Sequence, residues 1–152
     1  MNLCSDVLKA LEGKTLCTAE SLTGGGIGAA LTSVPGASKV FKGGVISYTD
    51  EVKREVLGVP VADLTTYGAV SAPVAQAMAR GVRELLKVDV AVSVTGLAGP
   101  DGDEFGHEVG TVFIGYADAE KTFVKECHFT GDRESVRRQT MEEALQIIMK
   151  HV

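Results

Sequence analysis

Apolar side chains recur at Leu3, Val7, Leu8 and Leu11, the three-and-four spacing of one helical face, and Gly13 stands where a left-handed glycine closes a helix. The amphipathic stretch from Met1 to Leu11 therefore reads as a first helix. Thr15 to Ala19 is short and β-prone, Gly24 to Gly26 is a turn, and Ile27, Ala30, Leu31 and Val34 form a second helical stripe that stops at Pro35-Gly36. Val40 to Thr49 reads as a second strand, and Asp50 is a candidate N-cap for a short helix from Glu51 to Leu57 that carries Lys53. Thr65 to Gly68 is polar and turn-like. Ser71 can cap a helix with Pro73 in its first turn, running to about Leu86 with Val74, Met78, Val82 and Leu85 inward.

Val88 to Val94 is a nearly unbroken apolar run, the pattern of a central strand covered on both faces, and a glycine-rich loop from Thr95 to Gly102 follows it. Val109 to Tyr116 and Thr122 to Phe129 read as two strands whose short connection permits only an antiparallel hairpin. Asp132 can cap a last helix that turns Val136, Thr140, Ala144, Leu145 and Ile148 inward and leaves Glu142, Glu143 and Lys150 wet. Strands alternating with helices and ending in a hairpin predict a three-layer α/β/α sandwich, with a mixed, mostly parallel sheet of about five strands. The 152 residues read as a single domain.

Composition narrows the chemistry. A formal charge of −5 with scattered Lys and Arg lacks the basic footprint of a nucleic-acid-binding protein, although a few cations in one pocket can still attract a small anion. The three cysteines, Cys4, Cys17 and Cys127, have neither the spacing nor the histidine neighbours of a zinc site, and Cys17 and Cys127 sit in apolar runs as small hydrophobes. No metal and no cofactor are expected. The chain shows no signal peptide and no long apolar run, so a cytoplasmic location without membrane partners is expected.

Four segments could carry chemistry. In Thr18-Ala19-Glu20-Ser21-Leu22-Thr23-Gly24-Gly25-Gly26, a strand-to-helix junction places Ser21 beside free backbone N–H groups. The glycines let backbone approach a phosphate or an oxyanion, although Ser21 or Thr23 could equally be an ordinary helix cap. In the segment from Gly43 to Lys53, Tyr48 ends a strand and Lys53 rides on the next helix. A lysine can take a serine proton only if burial draws its pKa down, and the plain alternative is a solvated lysine and a core tyrosine. Thr95-Gly96 opens a loop at a strand's C-terminal end, and Arg133 and Arg137 begin the last helix, where either could meet a phosphate or simply stay in water.

Together these segments resemble the CinA C-terminal domain family. The likeness runs from Thr15 to about Ile148 and rests on ordered motifs: TAESLTGG, GGVISYTDEVKREVLGV, GAVSAPVAQAMARG, SVTGLAGPDG, VGTVFIG and FTGDRESVRRQT. The resemblance implies a nicotinamide-nucleotide amidase that hydrolyses nicotinamide mononucleotide to nicotinic acid mononucleotide and ammonia. It implies Ser21 as nucleophile with Tyr48 and Lys53 as catalytic partners, and further polar contacts from Thr95 and Arg137. Glu20, Thr23, Gly24, Gly25 and Gly96 complete the expected substrate-binding set, with the oxyanion held by N–H groups near Gly24 and Gly25. Family likeness also implies a homo-oligomer and a small nucleotide as partner. The alternative reading is an inactive nucleotide-binding module, or an interaction module in competence or DNA damage. Leu22 stands where the family usually has Cys, Thr49-Asp50 where Ser-Asn is common, and Asp103 where a second Gly is frequent. Many family members carry an additional N-terminal domain.

Overall fold

A computed structural model describes residues 2–152; Met1, at the start of the predicted first helix, lies outside them. The elements run α1 (Leu3–Ala10), β1 (Leu16–Glu20), α2 (Gly26–Thr32), a short 3-10 turn (Ala37–Lys39), β2 (Phe41–Ile46), α3 (Asp50–Glu55), α4 (Val61–Tyr67), α5 (Ala72–Leu86), β3 (Val90–Gly96), β4 (Thr111–Ala117), β5 (Thr122–His128) and α6 (Arg133–His151). The sheet order is β2-β1-β3-β4-β5. β1 pairs in parallel with both β2 and β3, while β4 pairs antiparallel with β3 and with β5. Four of the five strands thus share one direction and β4 alone opposes them. This is the expected mixed α/β/α sandwich.

Strand alternation sorts the two cores. Leu16, Val90, Val92 and Val94 face the layer of α1, α2 and α6, where they join Val7, Leu11, Ile27, Leu31, Val136 and Ile148. Cys17, Ala19 and Ala91 face α5 and meet Val74, Met78 and Val82. Small side chains dominate the second face, so α5 lies close to the sheet: a Cβ on Gly115 would stand 2.5 Å from Ala75 O. Ser93 Oγ donates to that same carbonyl at 2.6 Å.

Several local expectations change. The cap of α3 is Thr49, whose hydroxyl accepts from Val52 N, and Asp50 is the first helical residue. β2 ends at Ile46 rather than Thr49 because the chain turns there into the loop before α3. Thr65 to Tyr67, read as a turn, belongs to α4, and only Leu64 of that helix is buried. Leu85, expected inward, is 49% exposed near the end of α5. Thr95 and Gly96 are the last residues of β3, so the glycine loop starts two residues later, at Leu97. Among the described residues no helix is long and apolar enough to cross a membrane.

Candidate active site

The parallel strands β1, β2 and β3 end at one edge of the sheet, and their exits bring Ser21, Ser47-Tyr48 and Thr95-Gly96 together. Crevices outside the carboxyl ends of parallel strands are where open α/β sheets bind ligands. Here that edge opens into a cavity of about 520 Å³, lined among others by Ser21, Leu22, Tyr48, Lys53, Thr95, Gly96, Phe105 and Arg133.

Ser21 extends β1 by one pairing, its N–H donating to Val94 O at 3.0 Å. Alternation sends Leu16, Thr18 and Glu20 toward α2, and Cys17, Ala19 and then Ser21 toward the opposite face, where α3 carries Lys53. Lys53 Nζ donates to Ser21 Oγ at 3.0 Å and to Ser47 O at 2.7 Å. Lys53 is only 1% exposed and has no carboxylate within ion-pair distance among the described residues. Burial lowers its pKa to about 8, against a weaker upward pull from Asp50 one turn away. A lysine in that state can hold or accept a proton near neutral pH.

Five of the ten expected site residues stand on the cavity wall: Ser21, Tyr48, Lys53, Thr95 and Gly96. Tyr48 is 58% exposed, and its hydroxyl accepts from Arg133 Nη2 at 3.2 Å; it makes no hydrogen bond to Ser21 or Lys53. Thr95 donates to Ala69 O at 2.9 Å, tying the end of β3 to the segment before α5.

The other five lie elsewhere. Glu20 is buried beneath α2, where its carboxylate accepts from Thr23 Oγ1 (2.7 Å), Ile27 N (2.7 Å), Gly28 N (3.0 Å) and Thr18 Oγ1 (3.2 Å). It satisfies the first amides of α2, so that helix end has a resident anion and does not face the cavity. Thr23 is consumed by the same carboxylate. Gly24 N donates to Ser21 O at 3.1 Å, and left-handed Gly25 caps α2 beside Ile46. Of the expected oxyanion donors, the Gly24 amide is thus already engaged, and neither glycine lines the cavity. The Leu22 amide, next to Ser21, has no acceptor among the described residues. Arg137 braces the serine turn from behind, with Nε on Leu22 O at 2.9 Å and Nη2 on Thr23 O at 3.2 Å.

Arg133 is the arginine on the cavity. It opens α6, and its Nη1 donates to Gly99 O at 2.7 Å. Its position at the first helical residue, one turn nearer the sheet edge than Arg137, was the available signal. Ser47 and Phe105 carried no such signal. The wall also holds Asp50, Asp101, Asp103 and Glu104, so its cationic groups are Lys53 at the base and Arg133 at the rim. Among the described residues no group of three or more His, Cys, Asp or Glu side chains is placed to hold a metal.

The profile of the CinA C-terminal domain matches residues 2–152. A CinA-like protein of Synechococcus sp. (strain CC9311) is 59% identical over 115 residues, covering 74% of this chain and 27% of that protein. The chain spans about a third of the length of the curated relatives it matches. Among solved structures, a competence damage-inducible protein A from Klebsiella pneumoniae superposes with a TM-score of 0.96 at 36% identity, covering 98% of this chain and 94% of that one. A CinA superfamily protein from Escherichia coli gives a TM-score of 0.97 at 34% identity, covering 99% and 89%.

Proposed function

This chain belongs to the CinA C-terminal domain family, and from that premise we propose that it is a serine amidase that removes ammonia from the carboxamide of nicotinamide mononucleotide. The observation that carries the reading is the contact of 3.0 Å between Ser21 Oγ and a buried lysine without a carboxylate partner. A serine hydroxyl attacks an amide only when a neighbouring base takes its proton, and buried Lys53 is that base. The choice of nucleotide rests on the family resemblance and is supported by the size of the cavity, within the roughly 300–1,000 Å³ of small-molecule sites.

In the first half-reaction the Ser21 proton passes to neutral Lys53 as Oγ bonds to the carboxamide carbon. The oxyanion is held by the Leu22 N–H, the amide that follows the nucleophile. As the carbon–nitrogen bond breaks, Lys53 returns the proton to the leaving nitrogen, and ammonia departs. Water then attacks the ester, giving its proton to Lys53, and Ser21 Oγ leaves reprotonated by the same ammonium. Ser47 O fixes the Lys53 amine throughout. Tyr48 forms a wall with Arg133 and takes no bonded part in the proton path. The phosphate end is directed to Arg133, because the acids elsewhere on the wall repel a dianion.

The test is ammonia release from nicotinamide mononucleotide by the purified chain beside Ser21→Ala. Release that falls at least about a thousandfold in the variant supports the reading. A folded wild-type protein that binds the nucleotide but releases no ammonia is instead a binding module.

A further inference from the structure

We propose that Phe105 is the surface on which the planar ring of the amide substrate lies, which makes it a specificity-determining residue of the site. The inference rests on the amidase reading and adds to it the group that would recognise an aromatic, rather than aliphatic, carboxamide.

Phe105 lines the cavity yet is 42% exposed and belongs to neither sheet core. Its backbone, unlike that of a free loop residue, is held in place. The Asp103 carboxylate accepts from Phe105 N at 3.1 Å and from His107 N at 2.9 Å, and it pairs with His107 Nδ1 at 2.8 Å. The His107 ring meets Phe113 edge-on at 6.1 Å, which anchors the loop to a buried side chain of β4. The Phe105 ring rests on Gly68, where a Cβ would come within 2.6 Å of Cδ2; Gly68 has φ +81°, so a side chain there is disfavoured twice over. The rest of the ring is open to the cavity and to solvent. Tyr48, fixed by Arg133, is the other exposed aromatic on the same wall. A ring whose loop is already ordered by three bonds loses little freedom when a flat partner lies on it, and such preorganisation favours affinity.

The experiment uses the Ser21→Ala protein, which on the amidase reading holds nicotinamide mononucleotide without turning it over. Calorimetry is expected to show binding that weakens about tenfold on adding Phe105→Ala and stays within about twofold on adding Phe105→Tyr. Ribose 5-phosphate, which lacks the ring, is expected to bind equally to all three. With Phe105 intact, the pyridine protons of the bound nucleotide should shift upfield and show nuclear Overhauser contacts to the Phe105 ring, a readout independent of any variant's folding. Binding unchanged by Phe105→Ala, or the absence of ring contacts, overturns the proposal alone. No binding of nicotinamide mononucleotide by the Ser21→Ala protein overturns the amidase reading and this inference with it.

Discussion

Lys53 Nζ carries three hydrogens as an ammonium and finds two acceptors among the described residues, Ser21 Oγ and Ser47 O. Burial, only weakly opposed by the Asp50 carboxylate, brings its pKa to about 8, so about a tenth of the protein holds the neutral amine at pH 7. If that amine is the base, kcat/KM rises about tenfold per pH unit below 8 and levels off above it, and Lys53→Met removes the rise together with the activity. A flat profile from pH 6 to 9 in the wild type would exclude Lys53 as the titrating base. Its neighbour Ser47 has a different status. The Ser47 hydroxyl is the one buried side-chain polar atom without a partner among the described residues, whereas its carbonyl does the work on Lys53. Ser47→Ala keeps the carbonyl and removes the orphan, so thermal or urea denaturation should find stability unchanged or up to about 1 kcal/mol higher, with activity retained. A loss above that amount would mean that the hydroxyl is hydrogen-bonded in solution, through a trapped water.

At the scale of elements, the serine turn is held from two sides: Glu20 ties its far end to α2, and Arg137 of α6 grips the carbonyls of Leu22 and Thr23. Glu20→Gln puts an amide NH₂ among four donors and leaves at least one unsatisfied, an expected loss of about 1–3 kcal/mol in denaturation. Because Ser21 is the next residue, kcat should fall while KM changes little; unchanged kcat would show that the turn keeps its shape without the carboxylate. The separation of Glu20 from Ser21 was not legible: the motif read as one site, because the strand read as Thr15 to Ala19 stops short of Glu20 and the spacing of a motif does not say which face each residue takes. The inward residues of the long helices were largely legible, Val74, Met78 and Val82 on α5 and Val136, Thr140, Ala144, Leu145 and Ile148 on α6, with Leu85 the exception where α5 runs past the sheet. α4 was not, because a seven-residue helix with one buried side chain has no period to detect. Packing distance was equally hidden. Gly115 looks like any strand glycine in the sequence, yet α5 lies so close that Gly115→Ala should cost roughly 1–3 kcal/mol in denaturation, through overlap with Ala75 O.

For the whole molecule, the buried amine makes stability depend on pH in a direction that can be worked out. Unfolded, Lys53 keeps its ordinary value of 10.5; folded, it titrates at about 8. Below pH 8 both states bind the proton and the full cost of burying the ammonium, about 3 kcal/mol, opposes folding. Between about 8 and 10.5 the unfolded chain holds a proton that the folded one has released, so this group's contribution to stability rises with pH; above 10.5 both states are neutral and the cost is gone. Cys17 acts in the opposite sense, since burial raises its thiol from 9.0 to about 12, and Tyr116, also raised by burial, adds to that trend. Those groups lose stability as the pH climbs past their unfolded values and would mask the lysine in a simple pH scan. They are shared by Lys53→Met, however, and cancel in the difference between the two proteins. The variant is expected to be the more stable at pH 7, and its advantage should shrink by about 3 kcal/mol by pH 10.5. Chemical denaturation of both proteins across that range checks it, and a difference independent of pH would mean that Lys53 remains charged in the folded state.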